Sequence, residues 1–160
     1  MSTLKILIAD DSADDRFLLQ RSLRSVPRCE VVGCAEDGNA TVQYLSGEGN
    51  FSDRTRFPFP DLLLLDLKMP GMNGFEVLEW LGQRVFRDLR VVVLSGSALE
   101  EDINKARRLG ANEYLVKGES RGTAAALQAF LERSFGKKSL NHKKATESKP
   151  RPAKSIRPRS

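Results

Sequence analysis

The chain has 160 residues, 40% hydrophobic and 29% charged, with a formal net charge of +5, which suits one ordinary domain with a real core. No apolar run approaches the roughly 20 residues needed to span a bilayer, and the opening Met1-Ser2-Thr3-Leu4-Lys5 passes straight into a strand-like run instead of a secretory signal. Cys29 and Cys34 stand at an odd offset, which points strand residues to opposite faces, and the one histidine is His142; a disulfide scaffold, a zinc site and a His-based triad are disfavoured, and a cytoplasmic protein is expected.

In chain order, the first element is a strand over residues 4–9, short, apolar and rich in branched side chains. Ser12, with Asp15 three residues later, opens a helix that is expected to turn Phe17, Leu18 and Leu23 inward, and Pro27 follows its end. A second strand at 29–35 leads to a weaker helix over 38–46. The loop 47–60 is longer than the usual connection, and its Phe51, Phe57 and Phe59 need cover. A tolerated surface insertion is one reading of it, a partner contact the other. A third strand, 62–65, is pure leucine. Asn73 with Glu76 opens the next helix, with Phe75, Leu78 and Leu81 on one stripe. A fourth strand is expected at 91–94, and Ser97 with Glu100 starts a helix carrying Leu99, Ile103, Ala106 and Leu109, with Gly110 as its C′ residue. A fifth strand at 114–116 precedes a last helix opened by Ser120, with Ala124, Leu127, Leu131 and Phe135 inward and Gly136 at its end. Strands alternating with helices imply a parallel sheet covered on both faces, because crossovers are right-handed. The tail 136–160 has nine Lys or Arg against one acid, Glu147, so it carries +8 and the body about −3. The basicity of the chain belongs to its tail, which is too poor in large aliphatics to fold and is expected to be disordered.

Ligands of open parallel sheets bind beyond the carboxyl ends of the strands. There the predicted topology gathers Asp10 and Asp11 after the first strand, Asp66 after the third, Ser95 after the fourth and Lys117 after the fifth. Three close carboxylates cannot all stay ionised without compensation. A hard divalent cation, most simply Mg²⁺, provides it and commonly also holds a phosphate oxygen. An aspartate beside such a metal can attack phosphorus, Lys117 can neutralise the phosphoryl charge, and the Ser95 hydroxyl can donate to a phosphoryl oxygen. The chemistry read from the residues is phosphoryl transfer onto Asp66.

The runs Ile-Leu-Ile-Ala-Asp-Asp (6–11), Leu-Leu-Asp-Leu-Lys-Met-Pro-Gly-Met-Asn-Gly (64–74), Val-Leu-Ser-Gly (93–96) and Gly-Ala-Asn-Glu-Tyr-Leu-Val-Lys (110–117) together resemble the receiver domain of bacterial two-component response regulators, over residues 4–135. The long loop before the third strand resembles a subgroup that includes regulators paired with phytochrome-like kinases. The resemblance implies a flavodoxin-like, doubly wound α/β fold: a five-stranded parallel sheet of order 2-1-3-4-5 with five helices on two faces. It divides the chain into a receiver domain, 1–135, and the basic tail, 136–160. It implies that Asp66 accepts the phosphoryl group and that Asp10, Asp11, Asp66 and the backbone carbonyl of Lys68 hold Mg²⁺. Ser95 would be the switching hydroxyl, Lys117 the family lysine and Tyr114 the aromatic switch residue. Lys68 and Gly96 border the site, the first able to pair with incoming phosphate and the second leaving access open. One departure stands out: the family lysine is normally followed by a cis proline, and here Gly118 follows Lys117. A cis bond to a residue other than proline costs about 3 kcal/mol, so a trans bond is expected, with another path for the loop.

The function expected is that of a single-domain regulator, which catalyses only its own phosphorylation and dephosphorylation. Its phosphoryl source would be a sensor histidine kinase or phosphotransfer protein. On phosphorylation Ser95 would move toward the phosphoryl group and Tyr114 would turn inward, remodelling the face of the fourth helix, fifth strand and last helix. Output would pass by contact with a downstream protein, by phosphorelay, or through a homodimer on that face. The tail would bind nucleic acid only weakly and in a salt-sensitive way; no membrane is involved. The alternatives are a receiver-fold binding module independent of phosphorylation and a tail-mediated nucleic-acid binder. An aspartyl-phosphate phosphatase would carry Asp-x-Asp, whereas Leu67 and Lys68 follow Asp66, and a dinucleotide site would need glycines where Asp10-Asp11-Ser12-Ala13 stand.

Overall fold

A computed structural model describes residues 3–118 and 122–136 of the chain. Five strands, β1 (Leu4–Ala9), β2 (Cys29–Ala35), β3 (Leu62–Leu65), β4 (Arg90–Ser95) and β5 (Glu113–Val116), form one sheet in the order β2-β1-β3-β4-β5. Every pairing is parallel, with Ile6 opposite Leu62, Leu62 opposite Arg90 and Val92 opposite Glu113. Five helices alternate with them: α1 (Ala13–Leu23), α2 (Gly38–Ser46), α3 (Gly74–Gly82), α4 (Glu100–Arg108) and α5 (Thr123–Leu131). This is the flavodoxin-like receiver fold expected from the sequence. Consecutive residues of the central strands are buried, Ile6 to Ala9 and all of β3 among them. Since neighbours on a strand point to opposite faces, both faces of that part of the sheet are covered. Each such leucine or isoleucine contributes roughly 1.5–3 kcal/mol of burial.

A compact unit carrying the sheet and α1 to α4 runs to Ala124, and a second unit begins at Ala125, inside α5. That helix continues through a π-helical stretch, Glu132–Gly136. The Ser120 cap and the tail from residue 137 onward lie outside the described residues.

Two helices depart from the sequence reading. In α1 the Ser12 side chain accepts from the Asp15 N–H, as its cap role requires. However, Phe17 is 60% and Leu18 55% exposed, and the buried residues are Leu19 and Leu23. The inward stripe includes two polar side chains with partners beneath them. Arg16 Nη1 donates to the Asp10 carbonyl at 2.7 Å, and Gln20 Nε2 to Cys34 Sγ at 3.3 Å. Of the three side chains expected inward, Leu23 is buried, while Phe17 and Leu18 face solvent. In α4 the N-cap is Leu99, which is 60% exposed, not Ser97. The Ser97 hydroxyl accepts from the Leu99 N–H and donates to Asp102, so it folds the loop ahead of the helix. The Asn73–Glu76 capping box of α3 forms as expected, and Gly110 takes a positive φ directly after the α4 C-cap.

The aromatic residues of the long loop find their cover within the chain. Phe51 and Phe57 pack on the fully buried Tyr44 of α2, with ring centroids 5.0 and 6.1 Å from it, and Phe59 packs on Phe86. Arg54 ties the loop down by donating to the carbonyls of Leu45 and Phe57. The insertion reading accounts for these aromatics without a partner. In β2 the register slips by one residue at Val32, which resets the alternation on which the cysteine offset was argued, and both cysteines are free.

Candidate functional site

Main-chain hydrogen bonds place the site. The ladder continues one step past each strand: the Asp10 N–H donates to the Ala35 carbonyl, Asp66 N–H to Ala9, and Lys117 N–H to Ser95. Side chains just beyond β1, β3 and β5, with Ser95 at the last position of β4, are thereby fixed at one edge of the sheet, as the topology predicted. One carboxylate oxygen each from Asp10, Asp11 and Asp66 falls within a common span of 4.8 Å. Asp10 and Asp66 are buried and Asp11 is exposed, so the cluster opens to solvent on the Asp11 side.

Lys117 enters from β5. Its Nζ lies 2.7 Å from Asp10 Oδ2, 2.9 Å from Asp15 Oδ2 and 3.6 Å from Asp66 Oδ2. The described backbone contains no cis peptide bond, so the Lys117–Gly118 bond is trans, and Gly118 has φ +80°. The lysine reaches the acidic cluster without a proline behind it. Burial pushes the Asp66 carboxyl up to about 6; Lys117 and the Lys68 N–H favour its ionisation, while the charges of Asp10 and Asp11 oppose it. Burial works against the Lys117 ammonium, but hydrogen bonds to Asp10 and Asp15 and the charge of Asp66 raise its pKa above the usual lysine value. Three carboxylates converging within one span, with the Asp11 side open to solvent, fit a hard divalent cation.

Ser95 is fully buried, and its Oγ accepts from the Ser97 N–H at 3.1 Å. Tyr114 is also buried, with its hydroxyl donating to the Ser97 carbonyl at 2.8 Å. Tyr114 thus faces inward in this structure. Lys68 is exposed at the mouth and gives its N–H to Asp66.

Three features escaped the sequence reading. Asp15 was read only as part of a helix cap, yet it is a direct partner of Lys117; its signal was a carboxylate one helical turn beyond Asp11. Arg16, which holds the Asp10 carbonyl and pairs with Glu36 at 3.2 Å, gave no signal in the apolar pattern. Ser97 joins Ser95, Tyr114 and Asp102, and nothing in its neighbourhood of sequence shows all three.

Residues 6–128 match the model of the response regulator receiver domain. The chain belongs to that family. It is 32% identical to the two-component response regulator ARR5 of Arabidopsis thaliana over 151 residues, which cover 90% of this chain and 80% of the relative. It is also 37% identical to a protein-glutamate methylesterase/protein-glutamine glutaminase of Anaeromyxobacter dehalogenans, covering 82% of this receiver but only 34% of that protein. The chain thus spans about a third of the length of such methylesterases. Among solved structures, a response regulator in red light signaling of R. palustris superimposes with a TM-score of 0.73 at 30% identity, over 82% of this chain and 94% of that one. The phosphorylated cyanobacterial phytochrome response regulator RcpA gives 0.71 at 32% identity, over 82% and 93%. The likeness to phytochrome-associated regulators, first suggested by the long loop, is therefore also one of structure. The regulator Rcp1, 31% identical over 81% of this receiver and 92% of its own chain, has been solved with Mn²⁺ bound (TM-score 0.68). Among the described residues of this receiver, no helix is long and apolar enough to cross a membrane.

Proposed function

We propose that this receiver, residues 1–135, accepts a phosphoryl group on Asp66 from a sensor histidine kinase or phosphotransfer protein in the cytoplasm. The observation that carries this reading is the cluster itself: three carboxylates within 4.8 Å and the Lys117 ammonium 3.6 Å from Asp66. Asp10, Asp11, Asp66 and the Lys68 carbonyl would hold Mg²⁺, which would supply neutralising charge for the phosphoryl oxygens. The Asp66 carboxylate oxygen attacks phosphorus in line with the phosphohistidine nitrogen. The new P–O bond forms as the P–N bond breaks, and the departing imidazole keeps the bonding electrons and takes a proton from water. Lys117 pairs with one phosphoryl oxygen, and the Ser95 hydroxyl, whose oxygen already accepts from Ser97, directs its own hydrogen to another.

Output follows from the same bonds. A phosphoryl group that draws Ser95 toward itself pulls on Ser97, and through it on Tyr114 and on Asp102 at the start of α4. The α4–β5 side is thus the surface offered to a downstream protein, to the next carrier of a phosphorelay, or to a second copy of the chain. The tail, 136–160, with its charge of +8, adds a separate electrostatic contact with nucleic acid or an acidic protein.

Incubation with Mg²⁺ and phosphoramidate, followed by intact mass measurement, tests the reading. The wild type is expected to gain one phosphoryl group and Asp66→Asn none. No gain in the wild type, with Mg²⁺ binding shown by titration, would overturn acceptance from a small donor and favour a binding module independent of phosphorylation.

A further inference from the structure

Lys117 is claimed by more carboxylates than the phosphoryl chemistry needs. Its ammonium hydrogen-bonds Asp10 at 2.7 Å and Asp15 at 2.9 Å, while Asp66, where a phosphoryl group would sit, is at 3.6 Å. The two shorter contacts are hydrogen bonds and the third is not. Asp15 stands on the first turn of α1, fixed there by its N–H bond to the Ser12 hydroxyl, so its carboxylate has a set place over the sheet edge. Its side chain is 42% exposed, whereas that of Asp10 is only 4%.

The two carboxylates differ in what else they do. Asp10 belongs to the metal-compatible set with Asp11 and Asp66, and Asp15 does not. A divalent cation that takes up Asp10 competes with the lysine for that carboxylate. Asp15 is then the partner left to Lys117.

We infer that Asp15 is a positioning residue that holds Lys117 in the resting receiver and must release it to the phosphoryl group when Asp66 is modified. The inference rests on the proposed phosphorylation of Asp66 and adds to it a second, competing destination for the lysine. The ion pair between Lys117 and Asp15 is present before transfer and broken when the ammonium turns to the phosphoryl oxygens. Its energy therefore stabilises the ground state and raises the barrier. Asp15 touches neither metal nor phosphoryl group, and it acts only through the lysine.

The field of a nearby negative charge would also slow an anionic donor, and Asp14 separates the two effects. It lies on the same helical turn, is exposed, and carries the same charge without bonding to Lys117. The full chain is labelled with phosphoramidate and Mg²⁺, and the initial rate is read by intact mass for wild type, Asp15→Asn, Asp14→Asn and Asp66→Asn. For a half-exposed ion pair, Asp15→Asn is expected to label about three- to fivefold faster than wild type. Asp14→Asn should stay near the wild-type rate. Equal acceleration by both variants would reduce the effect to field strength and overturn the inference. Slower labelling of Asp15→Asn would overturn it too, because it would make Asp15 a residue that delivers the lysine. A second readout does not need phosphorylation: acetylation of the Lys117 amine by sparing acetic anhydride, located by peptide mass. Reactivity should rise in Asp15→Asn and not in Asp14→Asn. If no variant labels on Asp66, the proposed function falls; the amine reactivity still decides whether Asp15 holds Lys117, and an unchanged reactivity overturns that.

Discussion

Replacing Asp66 by asparagine should make the metal-free protein more stable at neutral pH. Asp66 is 6% exposed. Burial, followed by the opposing influences of Lys117 and its acidic neighbours, leaves its pKa raised from 3.8 to about 6. A carboxyl with a higher pKa in the fold than in the unfolded chain keeps its proton longer in the fold. Between about pH 4 and 6 the native state therefore binds more protons, and stability falls as the pH rises through that window. At about 1.4 kcal/mol for each pH unit, the ionised side chain costs the fold about 3 kcal/mol at pH 7 and above. Asparagine removes that cost, in which the 3.6 Å attraction to Lys117 is already included. A net gain of about 3 kcal/mol is expected, or roughly 10 °C in Tm for a domain of this size. Thermal melts in EDTA near pH 7.5 and near pH 4 measure it. The gap should be wide at the higher pH and nearly closed at the lower, where wild-type Asp66 is protonated. Saturating Mg²⁺ should also narrow it, because the cation compensates the wild-type carboxylates. An asparagine variant that melts below wild type at neutral pH without metal would refute the reasoning, as would a gap of the same size at both pH values.

Other substitutions probe how the site and core are held. A Cβ on Gly74 would run into the Asp66 carbonyl and lie 2.7 Å from Leu67 Cα, both of them backbone. Gly74→Ala is therefore expected to cost about 3 kcal/mol and to slow labelling of Asp66, read by urea unfolding and intact mass. The hydroxyl of fully buried Tyr44 donates to the Pro58 carbonyl at 2.9 Å and lies 3.3 Å from that of Val32. Tyr44→Phe should lower stability by about 1 kcal/mol, measured as a shift of the urea midpoint. Phe17→Gln should leave that midpoint nearly unchanged, within about 0.5 kcal/mol. Leu19→Ala, two positions on, should cost about 2–4 kcal/mol. The reverse order would restore the α1 orientation read from the sequence.

The fold was largely legible because its strands are buried on both faces. Such strands read as unbroken apolar runs, and β3, four consecutive leucines, has its bounds in the sequence itself. Caps were legible where a short side chain meets an N–H three residues on, as at Ser12 and Asn73. They failed at Ser97, whose hydroxyl has a choice of local partners and takes the Leu99 N–H and Asp102 ahead of the cap geometry. The inward face of α1 was illegible for a different reason. A stripe of apolar residues shows which face is buried only when the sheet beneath is apolar too. Here the Asp10 carbonyl and Cys34 draw Arg16 and Gln20 inward, and Phe17 and Leu18 are left outside.

The same limit explains what was found and what was missed at the site. Asp10, Asp11, Asp66, Ser95 and Lys117 are each tied to the carboxyl end of a strand, so topology alone brings them together. Asp15 hangs from a helix, and its reach to Lys117, 102 positions away, depends on which side of α1 faces the sheet. An error in rotating α1 therefore hides Asp15 as surely as it misplaces Phe17. The two corrections belong to one rotation of the helix, in which Arg16 donates to the Asp10 carbonyl and Leu19 and Leu23 are buried. That rotation turns Phe17 and Leu18 to solvent and brings Asp15 over the lysine.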